Sequence, residues 1–158
     1  MKTSILLIIF SLCSPYATNN TGIFKEQSRV SEALNRKENE QILNSLADSI
    51  KHFIKQTKIA HADIVYRQAV LETGNFKSDI FRNNNNLFGM RGVKALPTTQ
   101  IGICEKGYGI YESWQMSIFD YAIWQAWSGK RLKRDEYLEL LGRIYAADSL
   151  YVFKINKF

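Results

Sequence analysis

Apolar residues recur at three- and four-residue steps from residue 38 onward, which is the spacing of one face of an α-helix. The first stripe predicts an amphipathic helix over residues 38–56, with acidic residues early and lysines late, as the helix dipole prefers. Its apolar positions are Ile42, Leu43, Leu46, Ile50, Phe53 and Ile54. Residues 18–37 are polar and weakly periodic, which predicts a linker or an adaptable N-terminal arm.

A second stripe predicts a helix that starts near His61 or Ala62 and stops before Gly74. Glycine readily takes the left-handed conformation found just past a helix end. The inward positions of this helix are Ile64, Val65, Gln68, Ala69 and Glu72. Glu72 therefore continues a mostly apolar face, and the sequence predicts an inward-pointing carboxylate in the last helical turn.

The pattern becomes irregular over residues 75–113, which contain an asparagine run, five glycines and β-prone pieces such as Gly109-Ile110-Tyr111. Residues 114–127 are apolar almost all round, which predicts a buried central helix. Another amphipathic helix is predicted to begin near Lys133. This order predicts a mostly α (α+β) fold, in which a helical lobe and a small irregular or β lobe flank a cleft.

The N-terminus carries Lys2 and then an apolar run over residues 5–10, the charged and apolar regions of a secretory signal. We predict a signal peptide over residues 1–17, which is too short to form a stable membrane span. Lipid attachment at Cys13 is the less favoured alternative, because Leu12 suits the processing site poorly. The expected location is the periplasm, the cell envelope or the exterior.

The formal net charge is +6, and loss of the predicted signal peptide removes only Lys2, leaving about +5. A basic exported protein suits a polyanionic envelope polymer. Nucleic acid is not an expected partner, because no recognition motif or dense basic run with interleaved aromatics is present. Cys104 would be the only thiol left, and His52 and His61 are isolated, so we expect no disulfide, metal or cofactor. No pattern indicates an oligomeric state.

Glu72 is the first candidate for chemistry. A carboxylate in the last turn of a helix feels the negative end of the dipole, and burial disfavours its charged form further, so both effects raise its pKa. A protonated carboxylic acid near neutral pH is what general-acid cleavage of a glycosidic bond requires. The alternative is an exposed glutamate at a fraying helix end.

Three motifs follow one another along the chain. They are Gln68-Ala69-Val70-Leu71-Glu72-Thr73-Gly74-Asn75-Phe76 with Ser78, Asn85-Asn86-Leu87-Phe88-Gly89-Met90, and Tyr111-Glu112-Ser113-Trp114 with Ser117 and Asp120-Tyr121. In this order and spacing they resemble the peptidoglycan-cleaving endo-β-N-acetylglucosaminidases of the flagellar and autolysin type. The resemblance spans roughly residues 60–151 and implies a lysozyme-like fold and a glucosaminidase domain over residues 38–158.

The resemblance implies that Glu72 is the general acid that protonates the leaving oxygen when the bond after N-acetylglucosamine breaks. It also implies that Tyr111 supports catalysis near the reacting sugar. The substrate-binding residues that it implies are Gln68, Asn85, Asn86, Phe88, Tyr108 and Trp114. Core packing is the favoured alternative role for Phe88 and Trp114, since aromatic side chains are more often buried than bound to sugars.

A second catalytic group is harder to assign. Mechanisms with two carboxylates need a partner about 5 Å away for retention or roughly 6.5–9.5 Å away for inversion. Glu105 lies at a sequence distance from Glu72 that suits the second carboxylate of the family, although Cys104-Glu105-Lys106-Gly107 also fits an ordinary turn. Without a second carboxylate, the acetamido group of the substrate would act as the nucleophile.

The predicted function is an exported peptidoglycan hydrolase that cleaves the glycan strand after N-acetylglucosamine. Two alternatives remain. A lytic transglycosylase of the same superfamily also works with one glutamate, and a non-catalytic cell-wall-binding module would explain the unsettled second carboxylate. Peptidoglycan glycan strands are the expected partner in all three cases.

Overall fold

The computed structural model of the chain describes residues 20–94, 97–128, 131–145 and 150–157. The chain divides into two compact units, residues 1–40 and residues 41–158. The predicted signal peptide lies outside the described residues. No described helix combines the length and the apolar character that a membrane span requires. The division into signal peptide, arm and domain therefore stays a prediction.

The first helix, α1, runs over Asn20–Gln56 and begins well before the predicted start at residue 38. The side chains of α1 are exposed from residue 25 to residue 42, and this part of the helix carries no apolar stripe because it has no buried face. Ion pairs one turn apart, Arg29 with Glu26 and Arg36 with Glu32, support helix there without tertiary packing. Hydrophobic periodicity detects only the part of a helix that is packed.

The remaining elements lie in the second unit. They are α2 (Ala62–Glu72), α3 (Asp79–Asn84), β1 (Gly102–Ile103), β2 (Gly109–Ile110), α4 (Trp114–Ser128), α5 (Arg134–Tyr145) and α6 (Tyr151–Asn156). The two strands pair antiparallel, with Gly102 opposite Ile110. The predicted mostly α (α+β) class is confirmed. Helices α3 and α6 were not predicted, because each has only six residues.

Helix α2 lies at the centre of the second unit, because its two sides belong to different hydrophobic clusters. Val65 and Ala69 pack in a cluster with the end of α1, with α3 and with α4. Ile64 packs in the other cluster, with α5 and α6. Burial on both sides fixes the axis of α2, and with it the position of the last residue, Glu72.

The end of α2 is shaped as the sequence predicts. The helix stops at Glu72, and Gly74 has a φ of +55°. The Thr73 hydroxyl donates a hydrogen bond of 2.6 Å to the carbonyl of Ala69 and accepts one of 2.9 Å from the amide of Phe76. The buried Thr73 side chain therefore joins the turn after Glu72 to the last turn of the helix.

Helix α4 differs from its prediction as a buried central helix. Ile118 and Tyr121 are fully buried, whereas Phe119 is 40% exposed and Trp127 is 77% exposed. The helix presents one face to the core and leaves large apolar side chains on the other. An apolar sequence on all sides therefore does not establish burial on all sides.

The small lobe is attached to α4 through Asp120, which is 4% exposed. Its Oδ1 accepts hydrogen bonds from the Thr98 hydroxyl at 2.7 Å and the Thr99 amide at 3.2 Å. Its Oδ2 accepts from the Tyr111 hydroxyl at 2.7 Å and from Gln100 Nε2 at 3.1 Å. A buried carboxylate is stable here because donors surround both oxygens.

Replacing Asp120 with asparagine should destabilise the domain by about 2–4 kcal/mol, because an amide nitrogen would face donors that now bind a charged oxygen. The measurement is the free energy of unfolding in urea. Asp48→Asn is the matched control, since Asp48 is exposed on α1. Equal stability of the two variants would contradict a structural role for the Asp120 carboxylate.

Candidate active site

A cleft of about 620 Å³ opens at the end of α2. Its lining residues are Glu72, Ser78, Ile80, Asn86, Gly89, Met90, Arg91, Val93, Tyr108, Trp124 and Ile144. Glu72 is the only acidic residue among them and Arg91 the only basic one. The lining combines apolar walls with a few polar groups, which is the usual composition of a ligand site.

The carboxyl group of Glu72 has two different sides. Oε1 accepts a hydrogen bond of 2.9 Å from the Tyr151 hydroxyl at the start of α6. Oε2 faces Gly89, where a Cβ atom would lie only 3.6 Å from it. Gly89 has a φ of +62°, so a residue with a side chain would be strained there and would also fill the space beside Oε2.

Burial raises the pKa of the Glu72 carboxyl group, and the Tyr151 hydrogen bond offsets part of that rise because it stabilises the charged form. The net direction is upward. The inward position and raised pKa that the sequence predicts for Glu72 therefore agree with its surroundings. The chemical role of Glu72 stays a prediction at this point.

Tyr108 continues the same wall of the cleft. Its Cε1 lies 4.0 Å from the position of a Cβ on Gly89, so the Tyr108 ring and Glu72 Oε2 both border the space that a side chain at residue 89 would fill. The guanidinium carbon of Arg91 lies 4.3 Å from the centre of the Tyr108 ring. One face of the ring is thus covered by Arg91, and a sugar has at most the other face to stack on.

The two asparagines of the second motif differ in position. Asn86 lines the cleft, but its amide nitrogen already donates to the carbonyls of Met90 and Gly109, both at 2.9 Å. Asn85 ends α3 with a φ of 53° and donates to the carbonyls of Tyr111 and Glu112. Both amides hold backbone in place. Binding of substrate by either one stays a prediction.

Four other predicted residues do not line the cleft. Gln68 is fully buried, its Oε1 accepts from the Tyr121 hydroxyl at 2.6 Å, and its Nε2 has no partner among the described residues. Phe88 is fully buried against Tyr121, with ring centres 4.2 Å apart. Tyr111 is 2% exposed and donates to Asp120. Trp114 packs edge-on against a phenylalanine of α1. The geometry gives all four a place in the core.

Glu105 lies at the turn between β1 and β2, and its side chain is exposed. The turn is closed by a hydrogen bond of 2.8 Å from the Gly107 amide to the Cys104 carbonyl. The structure does not bring Glu105 into the cleft lining beside Glu72. The alternative interpretation of this segment, an ordinary turn, agrees with these contacts. Its proposed part in catalysis stays a prediction.

Sequence reasoning missed Tyr151, Arg91 and Trp124. Tyr151 is 79 positions from Glu72, and no local pattern relates them. Arg91 directly follows the second motif, and Trp124 lies one helical turn after Tyr121. These two positions could have been noticed. No set of three or more potential metal ligands converges within the described ranges.

Comparison with solved structures finds chains that are similar to this one. A chain in a solved type VI secretion system effector–immunity complex from Pseudomonas protegens is similar to this chain at 18% identity, with a TM-score of 0.54. The match covers 73% of this chain and 90% of that one. The catalytic domain of the autolysin Auto from Listeria monocytogenes matches at 20% identity and a TM-score of 0.49, covering 96% of this chain and 94% of that one. A search of curated proteins found no match.

The strongest comparison is with a family model. Residues 47–158 match the glucosaminidase family, described as mannosyl-glycoprotein endo-β-N-acetylglucosaminidase. The match includes most of the chain, all three sequence motifs and every residue that lines the cleft. The resemblance to this family is confirmed. The chain therefore belongs to the glucosaminidase family of glycoside hydrolases.

Proposed function

We propose that this protein is an exported endo-β-N-acetylglucosaminidase that hydrolyses the glycan strands of peptidoglycan after N-acetylglucosamine. One observation carries the proposal: Glu72, at the end of α2, is the only carboxyl group among the described residues that line the cleft. Burial, which raises its pKa, supports the same role. The basic net charge, the predicted signal peptide and the three motifs support a substrate in the cell envelope.

Glu72 acts as the general acid in this proposal. Because Oε1 accepts the Tyr151 hydrogen bond, the proton belongs on Oε2, the oxygen that faces Gly89 in the cleft. From there it passes to the glycosidic oxygen as the bond to the next sugar breaks. Tyr151 then stabilises the carboxylate that remains, so a single hydrogen bond orients the acid before the reaction and the base after it.

The absence of a second carboxylate from the described lining supports a route in which the substrate assists itself. The acetamido oxygen of the N-acetylglucosamine attacks the anomeric carbon as the leaving oxygen takes the proton from Glu72. Water then opens the cyclic intermediate, with Glu72 as the base. The product is a reducing N-acetylglucosamine end.

Glu72→Gln should lower the turnover of purified peptidoglycan by about 10³-fold, because general acid–base catalysis contributes roughly 10²–10⁴-fold. Mass spectrometry of the products would count new reducing N-acetylglucosamine ends. Glu139→Gln, an exposed change on α5, is the control. Full activity of Glu72→Gln would remove Glu72 from the mechanism, and anhydro-muramic ends in the wild-type digest would favour a lytic transglycosylase. Tight binding without any cleavage would favour a wall-binding module.

Tyr151→Phe should move the alkaline limb of the pH–activity profile to higher pH. The acid works while it is protonated, so activity is lost as the pH rises through its pKa. The variant lacks the hydroxyl that stabilises the charged form, so the pKa of Glu72 should rise further. Tyr66→Phe is the control, since Tyr66 lies outside the cleft lining. An unchanged limb, or one displaced to lower pH, would refute the proposed coupling.

Glu105→Gln distinguishes the self-assisted route from a route that uses a second catalytic carboxylate. In the self-assisted route this exposed turn residue does no chemistry, so we expect less than about a threefold change in kcat, as for ordinary surface substitutions. The measurement is initial rates on soluble glycan strands. A loss of 100-fold or more with an intact fold would assign Glu105 as the second catalytic carboxylate.

A further inference from the structure

Arg91 occupies an unusual place in the cleft. It is the only basic residue among the described residues of the lining, its side chain is exposed, and its guanidinium carbon lies 4.3 Å from the centre of the Tyr108 ring. Its Nη1 donates a hydrogen bond of 3.0 Å to the carbonyl of Lys106. A backbone bridge to Tyr108 and a hydrogen bond from Gln100 to the Arg91 carbonyl fix its main chain. The cation is thus held in place from several sides.

The charge of Arg91 is not neutralised within the described part of the chain. No carboxylate there forms an ion pair with it, although three other arginines do form ion pairs. A guanidinium group carries five N–H donors, and the hydrogen bond to Lys106 uses one of them. Donors in a planar fork remain for a ligand, and such a fork matches the two oxygens of a carboxylate.

The cation and the acid line the same cleft. A Cβ on Gly89 would lie 3.6 Å from Glu72 Oε2 and 4.0 Å from Tyr108 Cε1, so both groups border one space, and Arg91 covers a face of the Tyr108 ring. Glu72, Tyr108 and Arg91 therefore belong to one continuous part of the lining. A glycan whose scissile bond lies at Glu72 would bring a neighbouring substituent to Arg91.

We propose that Arg91, supported by Tyr108, forms a carboxylate-binding subsite that selects the acidic strands of peptidoglycan over neutral N-acetylglucosamine polymers. This inference rests on the proposed function, since it names the feature of the substrate that the cleft recognises. Peptidoglycan has two sources of that chemistry: the carboxylates of the peptide stems and, where no stem is attached, the lactyl group of muramic acid. A bidentate ion pair with a carboxylate satisfies the donors that the fold leaves open.

The test measures binding in the Glu72→Gln background, so that the ligand is not consumed. Calorimetry compares three soluble ligands: strands with peptide stems, strands stripped of stems by an amidase, and stripped strands whose lactyl carboxylates have been converted to amides. The variants are Glu72→Gln alone and in combination with Arg91→Gln, Arg91→Lys or Arg82→Gln. Arg82 is the matched control, an exposed arginine on α3 outside the cleft lining.

We expect the Glu72→Gln protein to bind at least one acidic ligand about tenfold more tightly than the amidated strands, a difference that salt reduces. Arg91→Gln should abolish this preference, Arg91→Lys should retain part of it because the charge remains without the fork, and Arg82→Gln should preserve it. A preference for stem-bearing strands that is lost on stem removal identifies the stem carboxylates. A preference that appears on stem removal and is lost on amidation identifies the lactyl group.

Three results would overturn the subsite. They are equal affinity for acidic and amidated strands in the Glu72→Gln protein, a preference that survives Arg91→Gln, and an equal loss of affinity for all three ligands in Arg91→Gln. The last would mean that Arg91 only braces the turn at Lys106. A different result would refute the proposed hydrolysis and leave the subsite standing. In that case wild-type protein releases no new reducing ends, while the Arg91-dependent preference for acidic strands persists.

Discussion

The buried carboxylate of Asp120 connects the small lobe to the helical core. A charge in the protein interior is tolerated only when hydrogen bonds replace its water, and the four donors around Asp120 all come from residues 98–111. Because those donors lie just before β1 and just after β2, Asp120 fixes the open end of the hairpin, where both strands leave the helical core. Tyr108, which lines the cleft, is part of that hairpin.

Glu72 lies in surroundings of a different kind, with far fewer hydrogen-bond donors among the described residues than Asp120 has. Helix α2 is held between two hydrophobic clusters, and this packing places a carboxyl group where water is partly excluded. Asp120 is surrounded by donors, whereas Glu72 has Tyr151 at Oε1 and the cleft at Oε2. Burial raises the pKa of Glu72, and the hydrogen bond from Tyr151 offsets only part of that rise, which supports a proton-donating role in the proposed hydrolase. The buried Asp120 thus acts as a structural anchor, and the partly buried Glu72 is the candidate acid.

The proposed carboxylate subsite extends the same reasoning to the substrate. Glu72 is the one acid and Arg91 the one base among the described residues of the lining, so the two ends of a bound glycan would meet groups of different charge. A neutral glycan would leave the guanidinium donors of Arg91 without a charged partner. An acidic glycan would pair with them, which would let the cleft itself distinguish its polymer.

Local periodicity and turn chemistry were enough to predict α2, its end before Gly74, helices α4 and α5 and the mostly α (α+β) class, because each depends on neighbours within a few residues. The inward position of Glu72 followed from the same spacing. The core positions of Gln68 and Tyr111 did not, since a motif identifies residues near a site without distinguishing lining from support. Tyr151 and Arg91 depended on contacts between distant segments or on a ring stacked across a turn. Only the tertiary structure decides such contacts, because the packing of α6 and the hairpin against the rest selects them from many that the sequence allows.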